Sequence, residues 1–210
     1  MRIVNLLAVV DKEKCTGCRT CIRVCPTLAI KLENKKAEIN NEQCVGCQNC
    51  EQRCPFDAIH MQDRQPFTIG VEVKDSDYDK IEEICKKAKF NPEQIICYCT
   101  GTRAEEVAQA IIEGAKTPEE ITQRTGARSG CKVECIQPIL RLLKAAGIEP
   151  EPPKGGWQWY GTTVTAWEIP ESIRNKYSNV GFYFDEDLEL LNRIASSPTS
   201  KSKKKDSDNK

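Results

Sequence analysis

The sequence holds a single histidine, His60, in 210 residues. A Rieske centre needs two imidazoles on one iron, so that class of cluster is excluded, and a His-rich metal site with it. Long hydrophobic runs are missing as well. None approaches the roughly 20 apolar residues of a membrane span. The apolar stretch near the N-terminus, Ile3 to Val10, ends in charged Asp11-Lys12-Glu13-Lys14 and has no small-residue cleavage site. Charge of one sign is also lacking: 31 Lys and Arg balance 31 Asp and Glu, so no bulk attraction to nucleic acid is expected. Neither G-x-G-x-x-G nor G-x-x-x-x-G-K-[ST] occurs, which argues against a dinucleotide or nucleoside triphosphate site. The expectation is a cytoplasmic chain that is not itself catalytic and carries no membrane span.

What the sequence has in abundance is cysteine, 13 in all. Eight fall into two copies of one spacing, Cys15, Cys18, Cys21, Cys25 and Cys44, Cys47, Cys50, Cys54, each a C-x-x-C-x-x-C-x-x-x-C-P run closed by Pro26 or Pro55. CTGCRTCIRVCPTLAI and CVGCQNCEQRCPFDAI share every Cys, the Gly, the Pro and a final Ala-Ile, which makes them an internal repeat with pseudo-twofold symmetry. A disulfide framework needs a secretory context. Zinc sites use pairs of C-x-x-C across a long gap and explain neither the third Cys of each run nor the Cys-Pro. Gly17 and Gly46 hold equivalent places, where the backbone is expected to pass close to inorganic sulfur.

Residues 1–66 resemble bacterial ferredoxins with two [4Fe–4S] clusters. In that run the fourth Cys ligates the other run's cluster. Three thiolates of one tight loop cap three irons of a cubane, and the fourth iron takes its ligand from elsewhere. The resemblance therefore implies one site of Cys15, Cys18, Cys21 and Cys54, and a second of Cys44, Cys47, Cys50 and Cys25.

Residues 67–94 read as a bridge. Phe67, Ile69, Val71 and Val73 alternate with polar residues as in a half-buried strand, and Ile81, Ile84, Cys85 and Ala88 follow at helical spacing until Asn91-Pro92. Cys85, on the apolar stripe, reads as a core residue.

A second cysteine constellation lies in residues 95–149: Cys97-Tyr98-Cys99, then Cys131 and Cys135. Thr102 with Glu105, and Thr117 with Pro118 and Glu120, read as capping boxes ahead of two helices, the second ending near Thr125-Gly126. A third helix beginning at about Cys131 would place Cys131 and Cys135 one turn apart on one face, next to backbone N–H groups that favour an anionic cluster. IICYCT, IIEGAKTPEEITQRTGA and SGCKVEC resemble the helical [2Fe–2S] domain of bacterioferritin-associated ferredoxin. The resemblance implies a [2Fe–2S] cluster on Cys97, Cys99, Cys131 and Cys135. It departs in one respect: the family's second pair is normally C-x-x-C and here is C-x-x-x-C. Proteins with this domain pass electrons or hold a cluster, some of them within flavin-dependent dehydrogenases.

Residues 150–195 open on a Pro/Gly linker and carry Trp157, Trp159, Tyr160, Trp167, Tyr177, Phe182, Tyr183 and Phe184. Some forty residues do not build a core alone, so this irregular extension either packs back or docks on a partner. Leu188, Leu191 and Ile194 put an apolar stripe on a last short helix. From Ser196 to Lys210 the chain is polar and of low complexity, and is expected to be disordered.

The fold class expected is α+β: a ferredoxin-like dicluster domain of short hairpins and helices, a small helical [2Fe–2S] domain and the aromatic extension. The function expected is that of an electron-transfer subunit with two [4Fe–4S] clusters and one [2Fe–2S] cluster in a multi-subunit oxidoreductase, its catalytic partner a flavoprotein and another carrier a further candidate partner. Residues 1–66 hold ten Lys and Arg against eight Asp and Glu, not the acidic surface of a ferredoxin that docks by charge. This favours a subunit over a free carrier. A cluster-assembly or iron-handling module and a redox-sensing adaptor are the other readings.

Overall fold

The computed structural model describes residues 1–153 and 160–201. In chain order the elements are β1 (Arg2–Val10), α1 (Thr20–Val24), β2 (Ile30–Glu33), β3 (Lys36–Ile39), α2 (Asn49–Gln52), β4 (Ile59–Ile69), α3 (Tyr78–Lys87), β5 (Ile95–Cys97), β6 (Thr102–Arg103), α4 (Ala104–Ile112), α5 (Pro118–Thr125), α6 (Ile136–Ala145), α7 (Glu171–Tyr177) and α8 (Phe184–Ala195). This is a mixed α+β arrangement of short antiparallel hairpins and helices: β1 pairs with β4, β2 with β3 and β5 with β6. Among the described residues no helix is long and apolar enough to cross a membrane.

The two cysteine runs fold as the repeat predicts. β1 and β4 pair from Arg2↔Ile69 to Val10↔Ile59, with a bulge between Val4 and Leu6; Pro66, which has no N–H to donate, falls in that irregular stretch. β2 and β3 are joined by Asn34-Lys35, both at positive φ, as a two-residue hairpin turn of the right twist requires. Each run begins with the same device: the Asp11 carboxylate accepts from Glu13 N–H and Lys14 N–H, and the Asn40 amide oxygen from Glu42 N–H and Gln43 N–H. A core of Ala8, Ala29, Ile30, Ala37 and Ile59 closes around Cys21, Cys25, Cys44 and Cys50.

The second half is built on α3 to α6. Ile81, Cys85, Val107, Ala108, Ile121, Ile139, Leu142 and Leu143 form its centre, and truncating one of the large ones to Ala would cost about 2–5 kcal/mol. Cys85 is fully buried there, as its place on the stripe predicts, and burial pushes its thiol up to about 12. α5 starts as predicted: Thr117 Oγ1 accepts from Glu120 N–H, the Glu120 carboxylate accepts from Thr117 N–H, and Gly126 at φ 78° ends the helix.

Four expectations are corrected. The strand read over 67–74 stops at Ile69 and belongs to the long β1–β4 hairpin; Val71 and Val73 instead lie against the helical core, so two different burial surfaces produced one alternation. The box ahead of α4 is one residue later than predicted. The Glu106 carboxylate accepts from Arg103 N–H, while Thr102 belongs to β6 and Glu105 pairs with Arg103. The third helix begins at Ile136, not Cys131: Cys135 is its N-cap and Cys131 lies in the preceding irregular loop. Finally, the polar tail is seated as far as Lys201. Asn91 Nδ2 donates to Ser197 O at 2.7 Å, Lys201 Nζ pairs with Asp75 Oδ1 at 2.7 Å, and Thr199 is buried. The expected disorder of 202–210 falls outside the described residues.

Candidate metal centres

All thirteen cysteines are free thiols. Among the described residues no three His, Cys, Asp or Glu are gathered as a single bound ion would need. Instead, two sets of four thiols each surround a space. One cavity is lined by Cys15, Cys18, Cys21 and Cys54, the other by Cys25, Cys44, Cys47 and Cys50. The last Cys of each run thus lines the same cavity as the first three of the other.

Repeat symmetry extends to the hydrogen bonds on sulfur. Ala29 N–H donates to Cys25 Sγ at 3.2 Å and Ala58 N–H to Cys54 Sγ at 3.3 Å, the same offset in each run. Ala37 N–H reaches Cys15 Sγ at 3.4 Å and Asn49 Nδ2 reaches Cys47 Sγ at 3.3 Å. Such donors stabilise thiolate and lower the electron density on sulfur. Burial and the neighbouring thiols work against ionisation: Cys21 is pushed up to about 11 and Cys50 to about 12, burial being the larger cause in both. Charge introduced there is thus dear unless a cation centre shares it. Gly17 and Gly46 both sit at positive φ, and a Cβ on either would strike a backbone carbonyl, that of Lys35 or of Leu6. Backbone packing thus constrains both glycines.

In the helical half, the four thiols come from the β5–β6 turn and the loop before α6. Cys97 and Cys135 are buried and hydrogen-bonded to each other; that bond pulls Cys97 down to about 5 and pushes Cys135 up. Cys99 and Cys131 are exposed, and Cys131 N–H donates to Cys99 Sγ at 3.5 Å. Cys131 is pulled down, first by the N–H groups of Val133 and Glu134. Gly130 lies under Cys99: a Cβ there would come within 2.8 Å of its sulfur. So the predicted quartet does converge, although the loop rather than a helix face brings Cys131 in. Exposed Tyr98 and Val133 flank the two outer thiols.

Three further features escaped the sequence reading. Behind Cys97 and Cys135, Arg128 pairs with Glu119 at 3.1 Å, and the two side chains are only 4% and 7% exposed. Tyr160 OH, from the C-terminal extension, donates to the other Glu119 oxygen at 2.5 Å. Second, the loop from Arg128 to Lys132 is seated on the first half of the protein. Arg2 Nη1 donates to Ser129 Oγ at 2.6 Å, Asn49 Nδ2 to Ser129 O at 3.0 Å, and Lys132 Nζ to Val24 O. Third, these contacts fall beside the second cavity, because Asn49 also bonds Cys47 and Val24 precedes Cys25, and both cysteines line it. Local patterns carry no signal for any of the three.

The aromatic extension divides. Trp157 and Trp159 lie outside the described residues. Tyr160 packs back, as does Trp167, whose ring faces the Arg141 guanidinium and whose Nε1–H donates to Asn192. Phe182 stacks on Phe184 at 5.5 Å with Tyr177 edge-on at 6.1 Å, while Tyr177, Val180, Phe182 and Tyr183 remain exposed. Leu188 and Leu191 are half-buried and Ile194 is exposed.

Among known protein families, residues 8–61 match the 4Fe-4S dicluster domain and residues 95–145 match the BFD-like [2Fe-2S] binding domain. No curated protein and no solved structure matches the chain. Two crossed thiol quartets around cavities, and a third on a helical scaffold, fit what those families bind. The cofactors are two [4Fe–4S] clusters and one [2Fe–2S] cluster, and the chain is an iron–sulfur electron-transfer protein in which a 4Fe-4S dicluster domain (8–61) is followed by a BFD-like [2Fe-2S] binding domain (95–145).

Proposed function

We propose that the chain is the electron-wiring subunit of a cytoplasmic multi-subunit oxidoreductase whose catalytic partner is a flavoprotein. Cys15, Cys18, Cys21 and Cys54 hold one [4Fe–4S] cluster, Cys25, Cys44, Cys47 and Cys50 the second, and Cys97, Cys99, Cys131 and Cys135 the [2Fe–2S] cluster. Bound clusters of these kinds supply one-electron carriers whose potentials respond to net charge, burial and hydrogen bonds to sulfur. The observation that carries the reading is the seam: the loop bearing Cys131 and Cys135 rests, through Ser129 and Lys132, on Asn49 and Val24, the sequence neighbours of Gln48 and Cys25, which line the second cavity. The buried set Cys25, Cys44 and Cys50 thus lies between two sets with exposed members, Cys18 on one side and Cys99 and Cys131 on the other.

The protein's own residues do three things in this reading. Arg2, Asn49 and Lys132 fix the two halves against each other. Backbone N–H groups and Asn49 place donors on sulfur. Gly130 leaves room for Cys99 at the surface.

Exposed Tyr177, Phe182 and Tyr183 on the α7–α8 hairpin support a protein partner, because α7 and α8 bury no residue of their own and aromatic side chains without cover are favoured interface anchors. The test is anaerobic copurification of the native complex with identification of its subunits, beside the triple variant Tyr177→Ser, Phe182→Ser, Tyr183→Ser. The expected result is a flavoprotein with the wild type and its loss from the triple variant, both holding about ten irons per chain. A wild-type chain that copurifies with nothing and exchanges electrons freely in solution would replace the subunit by a free carrier.

A further inference from the structure

We propose that Lys132 sets the reduction potential of the second [4Fe–4S] site from across the seam, tying that potential to the loop that holds the [2Fe–2S] ligands. The inference rests on the ligand assignment above. Lys132 stands directly after Cys131 and three residues before Cys135, in the longer of the spacings available to such a pair. Its backbone is in the left-handed region, φ 62°. Its Nζ donates to the carbonyl of Val24, the residue before Cys25. It is half-buried, and among the described residues it forms no salt bridge with a carboxylate. Cys25 lines the second cavity together with Cys47, so an ammonium anchored on the Val24 carbonyl stands beside that site.

The electrostatics then follow. Cluster ligands are thiolates, and reduction adds one further negative charge to the site. A fixed cation at short range in a partly desolvated seam stabilises the reduced form more than the oxidised one. It therefore raises the potential of the site it faces, and much less that of the Cys15, Cys18, Cys21 and Cys54 site, which it does not touch. Since the charge is delivered by the helical half, the second site has this potential only while the loop is seated. By reciprocity, reducing that site holds the loop in place.

Full-length, anaerobically prepared protein is titrated by EPR-monitored potentiometry in wild type and in Lys132→Met, Lys132→Gln and Lys132→Arg. Cys25→Ser identifies the second site's signal. Lys132→Met should lower the reduced-to-oxidised ratio of that site about tenfold at fixed potential, equivalent to about 59 mV for one electron, with the first [4Fe–4S] site moving far less. Lys132→Gln, which keeps a donor for Val24 O without the charge, should do the same, and is read in its place if Lys132→Met loses iron. Lys132→Arg should stay near wild type. A shift under about twofold in both chargeless variants, an equal shift of both [4Fe–4S] sites, or Lys132→Arg behaving as Lys132→Met would overturn the role of the charge. If Cys25→Ser perturbs the first site instead of the second, the ligand assignment fails, independently of Lys132.

Discussion

Replacing Glu119 by Gln should loosen the helical half more than any surface change, and the structure says by how much. Its carboxylate accepts from Arg128 at 3.1 Å and from Tyr160 at 2.5 Å, and both members of the ion pair are almost wholly buried. Removing one charge of a buried pair leaves the other uncompensated, at a cost of about 3–5 kcal/mol. With a urea slope of about 1–3 kcal/mol per molar, the midpoint of the helical domain should fall by about 1–5 M. Tyr160→Phe removes only the hydrogen bond to a charged group and should cost about 1.5–3 kcal/mol. The decisive comparison is the double variant Glu119→Leu, Arg128→Met. It removes both charges and fills the space with apolar volume, so it should be more stable than Glu119→Gln despite carrying two changes. Anaerobic urea titrations followed by far-UV circular dichroism give the midpoints, and the visible band reports the clusters in the same samples. A Glu119→Gln midpoint within error of wild type, or a double variant at the sum of the single variants Glu119→Leu and Arg128→Met, would refute the assignment of this pair as a coupled buried unit.

Two other outcomes are expected. Gly130→Ala drives a methyl into Cys99, so it should abolish or distort the [2Fe–2S] EPR signal of the reduced protein while leaving both [4Fe–4S] signals; an unaltered [2Fe–2S] spectrum would show that Cys99 is not a ligand. Cys25→Ala should damage the cluster nested in Cys44, Cys47 and Cys50 more than the one nested in Cys15, Cys18 and Cys21, since Cys25 lines the former cavity; loss confined to Cys25's own run would sink the crossed assignment.

What was legible in the sequence was whatever is decided within a few residues. The C-x-x-C-x-x-C-x-x-x-C-P runs, the Thr117 cap and the stripe of α3 each depend on local spacing, and each is in the structure. Errors arose where a distant partner decides. Cys131 read as helical because nothing nearby forbids it, but the loop from Arg128 to Lys132 is drawn out by Arg2, Asn49 and Val24, more than 75 residues away. Phe67 to Val73 read as one strand because burial alternates there, although the first part faces β1 and the last faces the helices. Composition marked Ser196 onward as disordered. Yet Asn91, Glu93 and Asp75 offer the polar partners that seat residues 197–201. The buried Glu119–Arg128 pair left no trace at all, since an isolated Glu and an isolated Arg nine residues apart look like surface residues.

Arg2 has a practical consequence. Its guanidinium joins Ser129 of the second half to Gly46 of the first, and Met1 lies against Gly70 beside it. Arg2 is therefore a keystone of the seam, so a label attached at residues 1–2 would bear on the contact between the two halves. A label at Ser200 or Lys201 would instead disturb contacts with Glu93 and Asp75. For this protein the choice of where to label is an electrochemical decision before it is a convenience.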